Sequence, residues 1–216
     1  MSISYDLNAK VRGRSEPILD CNTGEEVPIN INPHGDLIIA HGMPGVSELV
    51  RMRKSYMAIA ASAVAPVTAL PTTSAQLTLW NGENDGGLIY VIDSVGVFTT
   101  VSAGAATAIG LFACMHTGKK AAAVADLTIR GLAGQAYRGT ATADVGATVV
   151  NDVWIPIGTA NVGPASQIGQ TLDVPVNGLY IVPPGHMFSL AAVANTTTTI
   201  TTRCLIRWHE VQLPVG

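Results

Sequence analysis

The sequence predicts an all-β fold, a jelly-roll-like antiparallel β-sandwich with an extended N-terminal arm. Three observations lead to this prediction. Segments with strand-like alternation recur roughly every 8–15 residues, and there are about eight to ten of them. Turn-forming residues separate these segments in a chain that holds 22 Gly and 12 Pro. No stretch alternates strands with long helices, as a parallel sheet would require.

The chain divides into two predicted parts, an arm over residues 1–35 and a β-sandwich domain over residues 36–216. The arm is rich in charge and proline and shows little periodicity, which is typical of a disordered tail. However, Val27, Ile29 and Ile31 alternate with polar residues as in a strand. We therefore expect an extended arm that becomes ordered against a neighbouring molecule.

The first half of the domain contains one ambiguous segment. Ser47–Val64 is compatible with a helix capped by Ser47, but it also alternates, and the β-rich surroundings favour a strand. Asn81-Gly82 is a strong hairpin signal, which Asp85-Gly86-Gly87 extends into a longer turn. The other predicted strands are Asp36–His41, Gln76–Trp80, a return strand Leu88–Val101 (or two strands with a bulge at Gly96) and Ala106–Met115.

The second half continues the same pattern. Ala125–Gly131 alternates, Thr148–Ile157 is apolar and β-favouring, and Thr171–Val176 is short, so all three are predicted strands. Small and polar residues predict loops at Gly139–Gly146 and Asn161–Gln170.

The last forty residues, Asn177–Gly216, predict strand, tight turn, strand, threonine-rich turn and strand. Pro183-Pro184-Gly185 cannot continue a strand and marks the tight turn. The final strand is predicted to be half-buried, because its residues separate into an apolar and a polar face. Apart from Leu205, the two faces are Cys204, Ile206 and Trp208 on one side and Arg203, Arg207 and His209 on the other.

Charged residues are scarce, at 12% of the chain against 48% hydrophobic residues. So little charge leaves part of the outer surface poorly solvated, and we expect other subunits to cover it. The alternative is an unusually neutral monomeric domain. The formal net charge of −3 argues against a nucleic-acid-binding protein, which needs concentrated Lys and Arg.

The three cysteines, Cys21, Cys114 and Cys204, lie far apart and form no CxxC motif. Such a set predicts reduced, buried thiols rather than a disulfide framework. The N-terminal residues contain no apolar signal-peptide core. The longest charge-free runs are broken by Pro, Gly or Ser/Thr clusters, so none is predicted to span a membrane.

The Pro183-Pro184-Gly185 turn invites comparison with cupins, jelly-roll enzymes whose second motif places a metal-binding His three residues after the Gly. Here Phe188 occupies that position, and His186 is displaced from it by two residues, roughly 7 Å along a strand. The chain also lacks the His-x-His pair of the first cupin motif, and the GxSxG, Walker and GxGxxG motifs. We therefore expect a protein without a metal site, a cofactor or catalytic residues.

The candidate contact residues are two basic clusters and three tryptophans. The basic clusters are either contacts to an acidic partner surface or simply solvated, and they comprise Lys10, Arg12 and Arg14 in the arm and Arg51, Arg53 and Lys54 in the domain. Trp80, Trp154 and Trp208 are predicted anchors of the core or of an interface, with sugar stacking as the alternative. Glu210 next to His209 is predicted to make a separate contact, because neighbours in a strand point to opposite faces.

Three stretches, Pro71–Phe98, Asn151–Gly158 and Gly178–Pro214, resemble virion structural proteins of tailed bacteriophages. The shared features are the sequence LWN at Leu79–Asn81 before an apolar strand, the late PPG turn, a threonine-rich reversal and a terminal W-x-E strand. The resemblance implies a jelly-roll domain that forms homotrimers and decorates or cements a capsid without catalysis. It also implies a place on the capsid surface, after synthesis in the host cytoplasm.

The partners that this resemblance implies are further copies of the chain and the major capsid protein or other virion proteins, with neither nucleic acid nor membrane. Three other hypotheses remain open: a tail, collar or fibre component of a virion, a carbohydrate-binding module, and a cupin-like enzyme.

Overall fold

The computed structural model describes residues 45–61, 63–72, 75–101, 107–117, 127–146, 153–162, 171–195 and 200–212. All of these residues belong to one unit, which runs from Gly45 to Gly216. The predicted arm over residues 1–35 and the predicted strand Asp36–His41 lie outside the described residues, and both remain predictions.

The described residues form one short helix and eleven strands. These are α1 (Gly45–Arg51), β1 (Ser55–Ile59), β2 (Leu77–Trp80), β3 (Ile89–Val101), β4 (Thr107–Thr117), β5 (Arg130–Gly131), β6 (Thr142–Asp144), β7 (Ile155–Val162), β8 (Thr171–Pro175), β9 (Ile181–Val182), β10 (His186–Ala194) and β11 (Thr201–Val211). Within the described residues, no helix has the length and apolar character needed to cross a membrane.

The strands form two antiparallel sheets. The first sheet has the order β5-β1-β11-β3-β8, with β9 also paired to β3. The second sheet has the order β6-β2-β10-β4-β7. Its inward side chains and those of the first sheet share one core cluster, so the two sheets pack as the layers of a β-sandwich.

The strand pairing is nested. The pairs β1 with β11, β2 with β10, β3 with β8 and β4 with β7 join progressively closer parts of the chain, and they fall alternately in the first and second sheets. This is the arrangement of a jelly roll, in which a long antiparallel hairpin is rolled into two four-stranded sheets. The predicted fold class is therefore confirmed. The short strands β5 and β6 extend one edge of each sheet.

The final strand shows how the sequence pattern builds the core. Cys204, Ile206 and Trp208 are buried, whereas Arg203 and Arg207, like His209, are only partly covered and belong to the opposite face. Full burial of one large apolar side chain contributes about 1.5–3 kcal/mol. The predicted half-buried strand is confirmed. The largest fully buried side chains include Trp208, Tyr90, Phe188, Leu77, Leu79, Ile92 and Leu190.

A second apolar cluster lies outside the main core. It contains Ala75, Cys114, Trp154 and Ala191, with Phe112 packed against it. Phe112, Cys114 and Ala191 come from positions of β4 and β10 that alternate with core residues, so they project from the outer face of the second sheet. This cluster covers part of that face.

The predicted strand over Ser47–Val64 is wrong for its first part. The chain forms the helix Gly45–Arg51 and then the strand Ser55–Ile59. The helix ends where Arg53 adopts a left-handed conformation with φ of 60°, which halts helical hydrogen bonding. The segment is therefore helical in its first part and a strand in its second part.

The predicted hairpin at Asn81-Gly82 is also wrong, because β2 and β3 lie in different sheets. The side-chain amide of Asn81 donates 2.9 Å hydrogen bonds to the carbonyl oxygens of Leu88 and Val182. The backbone carbonyl oxygen of Asn81 accepts a 2.9 Å hydrogen bond from the N–H of Gly185. Asn81 is fully buried and connects the β2–β3 corner to the Pro-Pro-Gly corner. Tertiary pairing thus overrides the local turn preference.

Three further boundaries differ from the predictions. The predicted loop Gly139–Gly146 contains β6. Of the strand predicted at Thr148–Ile157, residues 148–152 lie outside the described residues, and the described strand β7 runs from Ile155 to Val162. In β3, the register shift falls at Asp93 rather than at Gly96, because Arg207 pairs with Ser94 and Trp208 pairs with Ile92. The predicted strand at Thr171–Val176 is confirmed as β8 to within one residue.

Candidate functional site

The three tryptophans occupy different environments. Trp208 lies in the main core, with ring centroids 6.0 Å from Tyr56 and 6.3 Å from Tyr90. Trp154 is buried in the outer cluster, where its indole Nε1 donates a 3.0 Å hydrogen bond to the carbonyl oxygen of Pro71. Trp80 is partly exposed at the end of β2. Two of the three rings are therefore covered and cannot stack on a sugar.

The turn that resembles a cupin motif forms a corner between the sheets. Gly185 has a φ of 74°, a left-handed conformation that favours glycine at this position. Phe188, at the position of the cupin ligand, is fully buried and packs against Tyr180 at a centroid distance of 5.2 Å. No group of three His, Cys, Asp or Glu side chains among the described residues is placed to hold a metal ion.

Cys114 and His116 are in contact on the outer face of the second sheet. The Sγ of Cys114 lies 3.7 Å from the Nδ1 of His116, and the His116 ring meets Trp154 edge-on at 6.0 Å. A thiol beside an imidazole is the chemistry of a cysteine nucleophile. Here, however, both residues are at most 1% exposed, so a substrate has no access to them. Cys114 and Cys204 are buried and form no disulfide with a described residue, as predicted, and Cys21 lies outside the described residues.

Sequence reasoning did not find a buried network around Glu210. The Tyr137 hydroxyl donates to Glu210, and it accepts a 2.8 Å hydrogen bond from the N–H of Ala141. The Tyr90 and Thr140 hydroxyls lie 3.2 Å apart, and Thr140 donates a 2.6 Å hydrogen bond to Glu83. The network therefore leads from a buried carboxylate to the surface. Its members come from β2–β3, β11 and the β5–β6 segment, so local patterns could not connect them.

Burial sets the ionisation of this network. Desolvation raises the pKa of Glu210, against the opposing effect of the hydrogen bond from Tyr137. Desolvation also raises the pKa of Tyr90 to about 12 and strongly raises that of Tyr137. The tyrosines are therefore neutral hydrogen-bond donors at ordinary pH. Glu210 and His209 make separate contacts, as predicted, because His209 lies on the other face and pairs with Asp93.

The outer face of the first sheet carries two ion pairs. Arg207 contacts Asp173 and donates a 2.9 Å hydrogen bond to Ser94. The Nδ1 of His209 lies 2.7 Å from Oδ1 of Asp93. These contacts join β11 to β3 and β8. Arg207 is therefore paired with a carboxylate, and Arg203 lies on the same face.

The predicted basic cluster of the domain lies at one corner of the first sheet. Arg51 ends α1, Arg53 occupies the following turn and Lys54 precedes β1, and all three are exposed. The structure adds Arg130 and Arg138 at this corner, which the sequence analysis did not single out. The cluster Lys10, Arg12 and Arg14 lies outside the described residues.

Several large apolar side chains are exposed near sheet edges. Leu179 is 75% exposed and Ile181 is 47% exposed, at the β9 side of the first sheet. Val153 is 73% exposed and Ile155 is 44% exposed, at the start of the edge strand β7. Apolar side chains at such positions are typical contact residues between molecules.

No family model matches the chain, and no curated protein matches it either. Among solved structures, the chain is similar to one titled "Israeli acute paralysis virus heated to 63 degree - full particle", over 98% of this chain and 90% of that chain, with 7% identity and a TM-score of 0.29. It is also similar to one titled "KBV activated particle at acidic pH", over 98% and 92%, with 8% identity and a TM-score of 0.26. Both neighbours come from virus particles. At such low TM-scores they carry no argument, and the fold class rests on the strand topology alone.

Proposed function

We propose that the protein is a non-enzymatic virion structural protein of a tailed bacteriophage, a homotrimer that decorates or cements the capsid. The observation that carries this proposal is the nested jelly-roll pairing of eight strands in two sheets. Viral capsid domains are among the main users of this architecture. The sequence features shared with tailed-phage virion proteins favour the phage among viruses. The protein would act on the capsid surface after synthesis in the host cytoplasm.

Assembly into trimers is supported by apolar side chains at the sheet edges. Leu179 precedes β9 and Ile181 begins it, while Val153 precedes the edge strand β7 and Ile155 begins it. The ten residues from Val153 to Val162 contain no charged side chain. An uncharged edge strand invites pairing with another chain unless something covers it. A neighbouring subunit would provide that cover.

Binding to the major capsid protein is proposed for the arm over residues 1–35. Fully extended, such a segment spans about 100 Å, which is enough to reach past one subunit. Ordering the arm costs backbone entropy, and contacts with the particle would offset that cost. The basic residues Lys10, Arg12 and Arg14 would contribute to the same contacts.

Particle composition and particle binding test this proposal. Purified particles of the source phage should contain the protein at a copy number set by the capsid lattice, and an electron-microscopy map should place it on the capsid surface. Light scattering of the purified protein should give three times the chain mass of 22.4 kDa. A chain without residues 1–35 should bind particles poorly.

Other results would contradict parts of the proposed function. A location on the tail, collar or fibres would favour the alternative virion role, and full capsid occupancy by the truncated chain would exclude the arm. A monomer at every concentration would count strongly against the trimer. Glycan-array binding that is lost in Trp80→Ala would favour the carbohydrate-binding alternative, since Trp80 alone among the tryptophans has an exposed part.

A further inference from the structure

Four exposed cations share one corner of the first sheet: Arg53, Lys54, Arg130 and Arg138, here called the basic corner. Within the described part of the chain, the two ion pairs involve Arg207 and His209, and neither includes a side chain of the basic corner. The described side chains of this corner therefore present positive charge that no ion pair compensates.

Backbone pairing brings the four residues together. Arg130 lies opposite Met57 where β5 pairs with β1. The side-chain amide of Gln135 donates a 3.1 Å hydrogen bond to the carbonyl oxygen of Arg53, which connects the β5–β6 segment to the turn before β1. The Tyr137 ring packs edge-on against Tyr56 at 4.9 Å, and this contact places the adjacent Arg138 at the same corner.

The corner is held in place before any partner arrives. The carbonyl oxygen of Arg53 accepts a second hydrogen bond, of 2.8 Å, from the Tyr56 hydroxyl. The N–H of Leu132 donates a 3.0 Å hydrogen bond to the carbonyl of Ser55, which continues the β1–β5 contact. A preorganised set of charges loses less entropy when it binds, so more of its electrostatic attraction to a partner contributes to the binding free energy.

Nearby carboxylates are committed elsewhere. Glu210 is buried and accepts a hydrogen bond from Tyr137, and Glu83 accepts one from Thr140. Neither forms an ion pair with the described residues of the basic corner. These two carboxylates therefore leave the charge of this corner available to another segment or another molecule.

The chain itself contains a segment of opposite charge. Residues 15–44 include five acidic side chains and neither Lys nor Arg, the acids being Glu16, Asp20, Glu25, Glu26 and Asp36. This segment also contains the alternating Val27, Ile29 and Ile31. Every copy of the protein therefore carries one acidic segment and one basic corner.

We propose that the basic corner binds the acidic segment, residues 16–36, of a neighbouring copy. This inference rests on the proposed assembly of several copies, because assembly brings the segment within reach of a neighbour's corner. A nucleic acid is a poorer fit, because four cations neutralise few phosphates and the whole chain carries a net charge of −3. Contacts of this kind weaken as salt rises.

A charge-swap experiment on the full-length chain tests the proposal. The corner variant is Arg130→Glu with Arg138→Glu, and the segment variant is Glu25→Lys with Glu26→Lys. Sedimentation velocity at low salt should show self-association weakened roughly tenfold or more in each variant alone. An equimolar mixture of the two variants should regain association, because the lysines of one now face the glutamates of the other.

The matched control is one chain carrying all four substitutions. It has the formal net charge of the natural chain, −3, and sets lysines in the segment against glutamates in the corner, so it should associate more strongly than either variant alone. All substituted corner residues are exposed, and circular dichroism should show unchanged strand content in every variant.

Four outcomes would overturn the inference. Unchanged association in every variant would overturn it while leaving the proposed virion function intact. Altered thermal stability without altered association would assign the segment to its own chain's corner. Oligonucleotide binding that the corner variant loses, with no rescue in the mixture, would assign the corner to nucleic acid. A natural chain that is monomeric would also overturn it, and the particle's composition would then decide the virion function separately.

Discussion

The hydroxyl of Tyr137 donates a 2.8 Å hydrogen bond to Oε1 of Glu210 inside the sandwich. Glu210 is only 7% exposed, so its carboxylate has lost most of its hydration. The hydrogen bond from Tyr137 replaces part of that lost hydration. The Tyr137 oxygen is occupied on its other side by the N–H of Ala141. The pair joins β11 to the β5–β6 segment, which also carries two cations of the basic corner.

Replacing Glu210 by Gln should stabilise the protein at neutral and alkaline pH. Burial raises the pKa of Glu210 in the folded chain, so the folded chain binds more protons than the unfolded chain between the two pKa values. The free energy of unfolding therefore falls as the pH rises through the folded pKa. Gln keeps the oxygen that accepts from Tyr137 and carries no charge.

We expect Glu210→Gln to raise the free energy of unfolding by about 1 kcal/mol near pH 8, and to lose this advantage below about pH 4. Urea denaturation at several pH values measures both. Asp85→Asn, an exposed change of the same kind, should have little effect. A Glu210→Gln protein less stable than the natural chain at pH 8 would show that the carboxylate is net stabilising.

Replacing Asn81 by Ala should destabilise the fold by about 2–4 kcal/mol. The substitution leaves the carbonyl oxygens of Leu88 and Val182 buried without their donor, and it frees the corner between β2 and β3. Asn84→Ala is the matched control, because Asn84 is exposed in the same loop and should change stability by less than about 0.5 kcal/mol. Equal effects in chemical denaturation would contradict the structural role of Asn81.

Replacing Leu179 and Ile181 by Ser should weaken trimer formation roughly tenfold or more without unfolding the chain. Both side chains are largely exposed, at 75% and 47%, so the isolated subunit loses little core. Sedimentation equilibrium measures the association constant. Val101→Ser, at a side chain 49% exposed elsewhere on the first sheet, is the control. Loss of association in the control alone would move the contact to that end of the sandwich.

Cys204 should resist alkylation in the native protein. Its thiol is fully buried, and desolvation raises its pKa to about 12, whereas the thiolate is the reactive species. Iodoacetamide treatment followed by peptide mass spectrometry should leave Cys204 unmodified until urea unfolds the chain. Rapid native labelling at Cys204 would mean that β11 opens readily. Cys114 is buried as well, and its labelling in the same sample is the internal comparison for the labelling of Cys204.

Sequence patterns predicted those parts of the molecule whose information is local. The alternation from Arg203 to His209 gave the faces of β11 correctly, because a half-buried strand has a period of two residues. The prediction at Asn81-Gly82 was wrong because the information that decides its structure is not local. Its local preference is a tight hairpin, but burial and bonding to Val182 give it another role.

The candidate site escaped prediction because its members are distant in sequence. Arg130 joins Arg53 only through the pairing of β5 with β1, and no short motif encodes that pairing. The same holds for Tyr137 and Glu210, which are 73 residues apart. The sequence did indicate a basic cluster over residues 51–54, but it could not show which other cations share its corner.

The position of β11 has a consequence for how the protein is made. This strand lies between β1 and β3 at the centre of the first sheet, yet the ribosome synthesises it after every other strand of that sheet. Until then, β1 and β3 have no partner between them, and their apolar faces remain open to chaperones or to other nascent chains. The first sheet therefore cannot be completed until β11 has been synthesised, and we expect folding to be slow, as is typical of a topology of such high contact order. A chain that stops before Thr201 would leave β1 and β3 without the strand that joins them.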